Sequence, residues 1–426
     1  MPPAPAMSLH LTAEERAMLD GSHGPAAAAA LRIVVGTAGM LGAGRLVTVA
    51  SAHVDGCLYH GDSGTLFAER LAAEGGRVAV PTTLNVGSLD LVHAGRVRLP
   101  PHQAEMARRM MAAYVALGCR QTWTCSPYQA GHRPAQGEDV AWGESNAVAF
   151  CNSVLGARTN RYGDYLDICA AITGRAPLTG LHLPENRRAV VLVDATALPQ
   201  RLLAEDVLYP VLGAWLGRAV GDAVPAIEGL PRTLSEDRLK AMAAAAASTG
   251  AVGLFHVIGV TPEAPDRAAA FGGAHPAETI RLTPAMLESA RRTLSTSRVG
   301  LGDPIDAVAV GSPHFSVAEF HDLARLLAGR ALAVPFYACT GRHVLREIAG
   351  DLQDGLERAG VTLIADTCIV VTPILPANTG LLMTNSGKFA HYTTPNTGWD
   401  VLYGGLSDCV ESAVAGRFCR DEVLWQ

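Results

Sequence analysis

A chain of 426 residues is too long for one simple core and points to two or three domains. Apolar residues make up 49%, with 44 Gly and 25 Pro, so burial is ample and turns are frequent. The net charge is −6 and no stretch concentrates Lys or Arg, which argues against a nucleic-acid groove or an anionic-membrane face.

In LTAEERAMLDG, Thr12 is followed three residues later by Glu15, a capping-box pattern that predicts a short helix ending at Gly21. The segment before it, MPPAPAMSLHL, lacks the basic region and apolar core of a secretory signal, and a cytoplasmic protein is expected. PAAAAALRIVVGTAGMLGAG predicts a buried helix with a glycine-rich end, and LVTVASAHVDG a strand running into a polar loop. SGTLFAERLAAEGG reads as a helix and RVAVPTTLN as the next strand and loop. PPHQAEMARRMMAAYVALG is a long helix after prolines, followed by RQTWTCS as a strand. Residues 175–240 mix Pro, Gly and short elements. Beyond them, LKAMAAAAAS predicts a helix and AVGLFHVIGV a strand; the Ser-Thr-Gly between them argues against a membrane span. DAVAVGSPH, ALAVPFYACTG and VTLIADTCIVVTP then alternate with the helical SVAEFHDLARLLAG and RHVLREIAGDLQDGLERAG. This alternation predicts an α/β fold with largely parallel sheets and flanking helices around a cleft. The expected division is an N-terminal lobe at 1–175, a connecting region at 176–240 and a C-terminal lobe at 241–426.

In such folds ligands gather at the carboxyl ends of strands. That rule selects His53, Asp55, Thr82, Thr83, Asn85, Thr124, Cys125, Ser312, His314, Thr340 and Cys368. Each alone has an ordinary role as a cap or a satisfied hydroxyl; as a set they predict a polar cleft. There is no G-x-S-x-G elbow, no Walker loop and no H-E-x-x-H. The nine cysteines are odd in number, scattered, and free of C-x-x-C pairs, so a reducing compartment and buried thiols are the default. Two segments are unusually polar. GESNAVAFCNSVLGARTNR predicts a helix from Ala147 that would place Cys151 and Leu155 on one face. Its N-terminus, preceded by Ser145 and Asn146, could hold an anion, with Arg158 offering a carboxylate fork; the ordinary alternative is a capped helix with a solvated basic end. MTNSGKFAHYTTPNTG, carrying Ser386, Lys388 and His391, is expected as a loop, at the surface or facing a substrate.

The motifs VASAHVDGCLYHG, VPTTLNVGS, TCSPY, GESNAVAFCNSVLGARTNR, GSPH, ADTCIVVTP and TNSGKFAHY occur in this order in the large component of aconitase X, and the chain resembles that family over nearly its whole length. The resemblance implies a multi-lobed aconitase-like fold and an iron–sulfur hydro-lyase. It also implies Cys125, Cys151 and Cys368 as three thiolate ligands, an arrangement that leaves one iron open to a substrate hydroxyl. Some relatives carry cysteine in the G-x-PH motif where this chain has Ser312, so 2Fe–2S, 4Fe–4S and mononuclear iron all stay open. No glycine/serine-rich loop of the kind that supplies the aconitase base is present, with Ser386 the nearest approach. A separate small swivelling subunit is therefore the expected source of the base. Bacterial members resemble cis-3-hydroxy-L-proline dehydratases, archaeal members resemble mevalonate 5-phosphate dehydratases, and some aconitases are non-catalytic iron-responsive RNA binders. The scarcity of clustered cations favours the proline substrate. On this reading Thr82, Thr83, Asn85, Ser145, Asn146, Arg158 and Lys388 contact the substrate, and His53 and Asp55 relay the leaving-group proton.

Overall fold

The structure is a computed structural model in which residues 9–163, 165–376 and 380–425 are described. Three parallel sheets organise the chain. In the first, the strand Ala52–Val54 lies between Thr82–Leu84 and Ala141–Trp142. The second takes, in spatial order, His256–Val257, Pro225–Glu228, Val191–Asp194 and Glu278–Arg281. The third runs Val361–Ala365, Phe336–Thr340, Ala307–Phe315, Leu381–Thr384 and Asp400–Tyr403. The second sheet draws strands from both sides of residue 240, so the expected connecting region and the start of the expected C-terminal lobe share one sheet.

Local signals explain most helices. Thr12 and Glu15 form the reciprocal capping box, and Ser316 with Glu319 forms another. Pro25, Pro101 and Pro284 open their helices, where a missing N–H costs nothing. The alanine run lies in the helix Glu236–Thr249, which packs against Leu208–Val220. A Cβ on Gly213 or Gly217 would overlap the backbone at Met242 and Ala246. Alanine on one helix and glycine on the other let the two backbones meet, so the run serves helix packing. No helix among the described residues is long and apolar enough to cross a membrane.

Several predicted elements differ, among them RHVLREIAGDLQDGLERAG, which forms two helices, Arg342–Ile348 and Asp351–Ala359. LVTVASAHVDG is two strands: Leu46–Thr48 pairs antiparallel with Arg175–Pro177, while Ala52–Val54 enters the parallel sheet. RQTWTCS is not a strand. Trp123 adopts φ +44°, and the Thr122 hydroxyl donates to the Leu84 carbonyl at 2.8 Å while accepting the Leu84 N–H at 2.9 Å, replacing the ladder. The polar segment after Thr384 is the helix Gly387–Thr397, not a loop; Ser386 caps it by accepting the Phe389 N–H at 2.9 Å.

Candidate active site

The carboxyl ends of the first and third sheets face a common cavity of about 300 Å³. Asp55 follows Ala52–Val54, Asn85 follows Thr82–Leu84, and Glu144 and Ser145 follow Ala141–Trp142. From the third sheet come Ser312 near the end of Ala307–Phe315, Cys368 after Val361–Ala365, and Lys388 after Leu381–Thr384. Cys125 completes the wall. Lys388, Tyr392 and Asn396 line the cavity at a spacing of four, so one face of the helix Gly387–Thr397 supplies them.

The charges are paired. The Lys388 Nζ forms an ion pair with Glu144 Oε1, and their side chains are only 13% and 5% exposed. Burial alone would raise the Glu144 carboxyl, but the Lys388 charge and the Ala147 and Asn146 N–H groups outweigh it and hold it below the usual range. Glu144 also caps its own helix, accepting the Ala147 N–H at 2.7 Å. The helix N-terminus expected to hold a ligand anion is thus filled by a side chain of the protein. Arg161 lines the mouth, is exposed, and has no ion pair among the described residues.

Two thiols face this cavity. Burial pushes Cys125 up to about 12, with the Glu144 charge adding to it and Lys388 opposing. Its Sγ accepts the His314 N–H at 3.4 Å. Cys368 is shifted the other way, because the Cys339 thiol donates to its sulfur and outweighs burial, helped by the Val370 N–H, the Ser312 hydroxyl and Lys388. Asp366, at φ +62°, turns the chain toward Cys368 and is clamped by Arg342, whose Nε donates to its Oδ1 at 2.8 Å.

Other predicted residues lie behind the wall or away from it. His53 is fully buried, with Nδ1 2.9 Å from the Thr83 hydroxyl, which also lies 2.7 Å from His132 Nδ1. Burial lowers His53 to about 3, with His132 adding to the shift and Glu144 opposing it, so the imidazole is neutral. Thr82 donates to the Val80 carbonyl at 2.8 Å. Asn146 donates from Nδ2 to the Cys125 carbonyl at 3.1 Å and to Tyr128, bracing the thiol loop from outside the cavity. Arg158 pairs as a backbone bridge with Asp139 and is not part of the lining. Cys151 begins a π-helical turn, Cys151–Leu155, and its side chain sits in the apolar core around Phe150 and Val257. The π turn breaks the expected helical register and leaves Cys151 out of the cavity. The Ser386 hydroxyl donates to the Ser312 carbonyl while accepting the Phe389 N–H, so its proton and a lone pair serve the helix cap. Asp167 is a residue the sequence reading missed. Fully buried, it accepts the Asp55 and Gly56 N–H groups at 2.6 and 3.0 Å and the Ile168 N–H at 2.6 Å, which fixes the Asp55 loop.

The three sheets have counterparts in known proteins. Residues 8–185 match the first domain of aconitase X, 188–292 the second and 305–415 the third. The chain belongs to the aconitase X family. It is 44% identical over 415 residues to the cis-3-hydroxy-L-proline dehydratase of Pseudomonas aeruginosa, covering 96% of this chain and 70% of that one. The enzyme of the same name from Hypocrea jecorina is 41% identical, with 97% and 70% covered. The phosphomevalonate dehydratase large subunit of Methanothermobacter thermautotrophicus is 36% identical, with 93% and 96% covered. The fold of this aconitase X chain superposes on the crystal structure of Thermococcus kodakaraensis aconitase X in its holo-form with a TM-score of 0.84, 33% identity, and coverage of 95% and 100%.

Proposed function

We propose that the chain is the large component of an iron-dependent hydro-lyase that converts cis-3-hydroxy-L-proline to Δ1-pyrroline-2-carboxylate. The observation that carries the substrate choice is the charge inside the cavity. Lys388 is neutralised by Glu144, which leaves Arg161 as the cation free to meet a ligand among the described lining residues. One guanidinium fork suits one carboxylate, whereas mevalonate 5-phosphate brings a carboxylate and a phosphate. The higher identity to the two proline-acting relatives supports the same choice.

The donor set fits an iron centre anchored by two thiolates rather than three. Cys125, Cys368 and the Ser312 hydroxyl share the wall, so two sulfurs and one hydroxyl oxygen are the donors that would hold iron there. Iron bound there would supply Lewis-acid polarisation of the 3-hydroxyl as it leaves. The chain's own residues do the rest of the binding. Arg161 takes the carboxylate at the mouth. The Asp55 carboxylate, held by the Asn85 side-chain amide, faces the charged ring nitrogen. Glu144, kept ionised by Lys388, places negative charge beside the carbon chain without consuming a proton. Neutral His53 and Thr83 support the wall from behind. The Cα proton goes to a base on a separate small subunit. The engagement of Ser386 in its cap, and the large-subunit names of relatives that this chain matches almost end to end, both support that partner. Nine free thiols suit a reducing, cytoplasmic setting.

The test is turnover of cis-3-hydroxy-L-proline against mevalonate 5-phosphate by the iron-loaded chain co-expressed with its small component. Release of pyrroline-2-carboxylate is expected. Exclusive turnover of the phosphorylated substrate would overturn the reading.

A further inference from the structure

We propose that His314 is a positioning residue that fixes the separation of the two cavity thiols. Its side chain is fully buried and bonded at both ring nitrogens. Nε2 lies 3.0 Å from the Thr367 carbonyl, and Nδ1 lies 3.0 Å from the Thr124 hydroxyl. A carbonyl only accepts, so Nε2 carries the proton and Nδ1 accepts from Thr124. Thr124 immediately precedes Cys125 and Thr367 immediately precedes Cys368. One imidazole therefore ties the first-domain thiol loop to the third-domain thiol loop. The backbone of the same residue makes a third link, donating its N–H to Cys125 Sγ at 3.4 Å. Its carbonyl is anchored in turn by the buried Lys240, whose Nζ is 3.1 Å away on a second-domain helix. All three domains thus converge on His314, yet its ring does not line the cavity and cannot touch a substrate.

The role requires a rigid group with one donor and one acceptor at opposite edges. Glutamine keeps a donor near the Nε2 position and gives up the Thr124 arm. Asparagine keeps an acceptor near Nδ1 and gives up the Thr367 arm. Both keep the backbone N–H on Cys125.

The inference that this spacing serves a metal rests on the iron reading above; the spacing itself is measurable without iron. The iron-free full chain is treated with dibromobimane, which bridges paired thiols, and the Cys125–Cys368 cross-link is quantified by peptide mass spectrometry. In His314→Gln and His314→Asn the bridging rate should fall about tenfold, the factor equivalent to losing one buried hydrogen bond. Iron release from the loaded chain to a chelator should accelerate by a similar factor. Thr124→Val, which removes the hydroxyl arm together with the bond that this hydroxyl accepts from the Ser126 N–H at 3.1 Å, should move both rates in the same direction. A Phe320→Leu variant serves as control: like His314, Phe320 is fully buried and absent from the cavity lining, and the variant is chosen to match the lowered melting temperature. Unchanged bridging in both His314 variants, or equal losses in the control, would overturn the proposal. A wild-type chain that binds no iron but shows His314-dependent bridging would instead sink the iron reading alone.

Discussion

Replacing Lys240 with methionine probes the junction of the second and third domains. The Lys240 side chain is 1% exposed, its Nζ lies 2.8 Å from Asp237 Oδ1, and it is ion-paired with Glu319. Methionine keeps the buried stem and removes the charge. Stripping one partner from a buried ion pair costs about 3–5 kcal/mol. Asp237 and Glu319 are 25% and 22% exposed, so water recovers part of that and the lower end applies. Leaving the His314 carbonyl unpaired adds about 1 kcal/mol. The expected loss is about 4 kcal/mol, read as a shift of the urea midpoint by circular dichroism. The loss also depends on pH. Burial already raises Glu319 to about 7, with Lys240 offsetting part of the shift. Without Lys240 the folded-state value rises further above the unfolded one, so the variant is penalised least below the unfolded value and increasingly as pH climbs through the folded value. The deficit should be larger at pH 8 than at pH 6. A loss below about 1 kcal/mol, the scale of an exposed pair, would show that this network is not the buried one described. A deficit that does not change with pH would refute the role given to Glu319.

Cys125→Ala and Cys368→Ala should each abolish bound iron, measured by metal analysis, whereas Cys151→Ala should retain it because that thiol lies in the core; iron loss in Cys151→Ala alone would reverse the assignment. Arg161→Gln should raise KM about tenfold or more with a smaller change in kcat, since the substrate carboxylate is present throughout the reaction; a pure kcat effect would move Arg161 out of the binding role. Asp167→Ala removes the acceptor of two buried N–H groups and of the part-buried Asp55 N–H, and should cost about 3 kcal/mol in chemical denaturation; full stability would mean that the Asp55 loop is held by other groups.

The sequence was most legible where chemistry is local. The capping box at Thr12, the prolines that open Pro101–Ala116 and the strand–helix alternation depend on near neighbours, and the corresponding elements form. The carboxyl-end rule also located Asp55, Asn85, Ser312 and Cys368, because parallel strands deliver their ends and following loops to one side whatever the tertiary details; Cys125 lines the same cavity although the segment before it forms no strand. It located His53 and Thr83 as well, but it could not say on which side of the wall they stand. His53 and Thr83 stand inside their strands, two residues before Asp55 and Asn85, which follow the strand ends and line the cavity; positions two apart share a strand face, so depth along the strand is what separates them. Cys151 was illegible for a related reason. Helical spacing presumes 3.6 residues per turn, and the π turn at Cys151–Leu155 abandons it.

Lys388 carries the argument furthest. In the sequence it is a lone cation in a polar stretch, and a lone cation invites an anionic ligand. In the fold, its partner is Glu144, 244 positions away in the chain. That pairing changes what the cavity can accept. An unpaired Lys388 beside Arg161 would make a site for a dianion; a neutralised one leaves a site for a monoanion with a nearby positive ring nitrogen opposite Asp55. Glu144 can play this part only because its own helix N-terminus and Lys388 together hold it ionised against burial. On the proposed function the substrate preference would reside in this long-range ion pair, and its cleanest test is to neutralise the Glu144 side of it. Glu144→Gln frees Lys388, and it should weaken binding of the zwitterionic hydroxyproline while strengthening binding of a phosphorylated carboxylate, both measured calorimetrically on the same preparation. Parallel changes for the two ligands would show that the pair holds the wall in place without selecting what enters it.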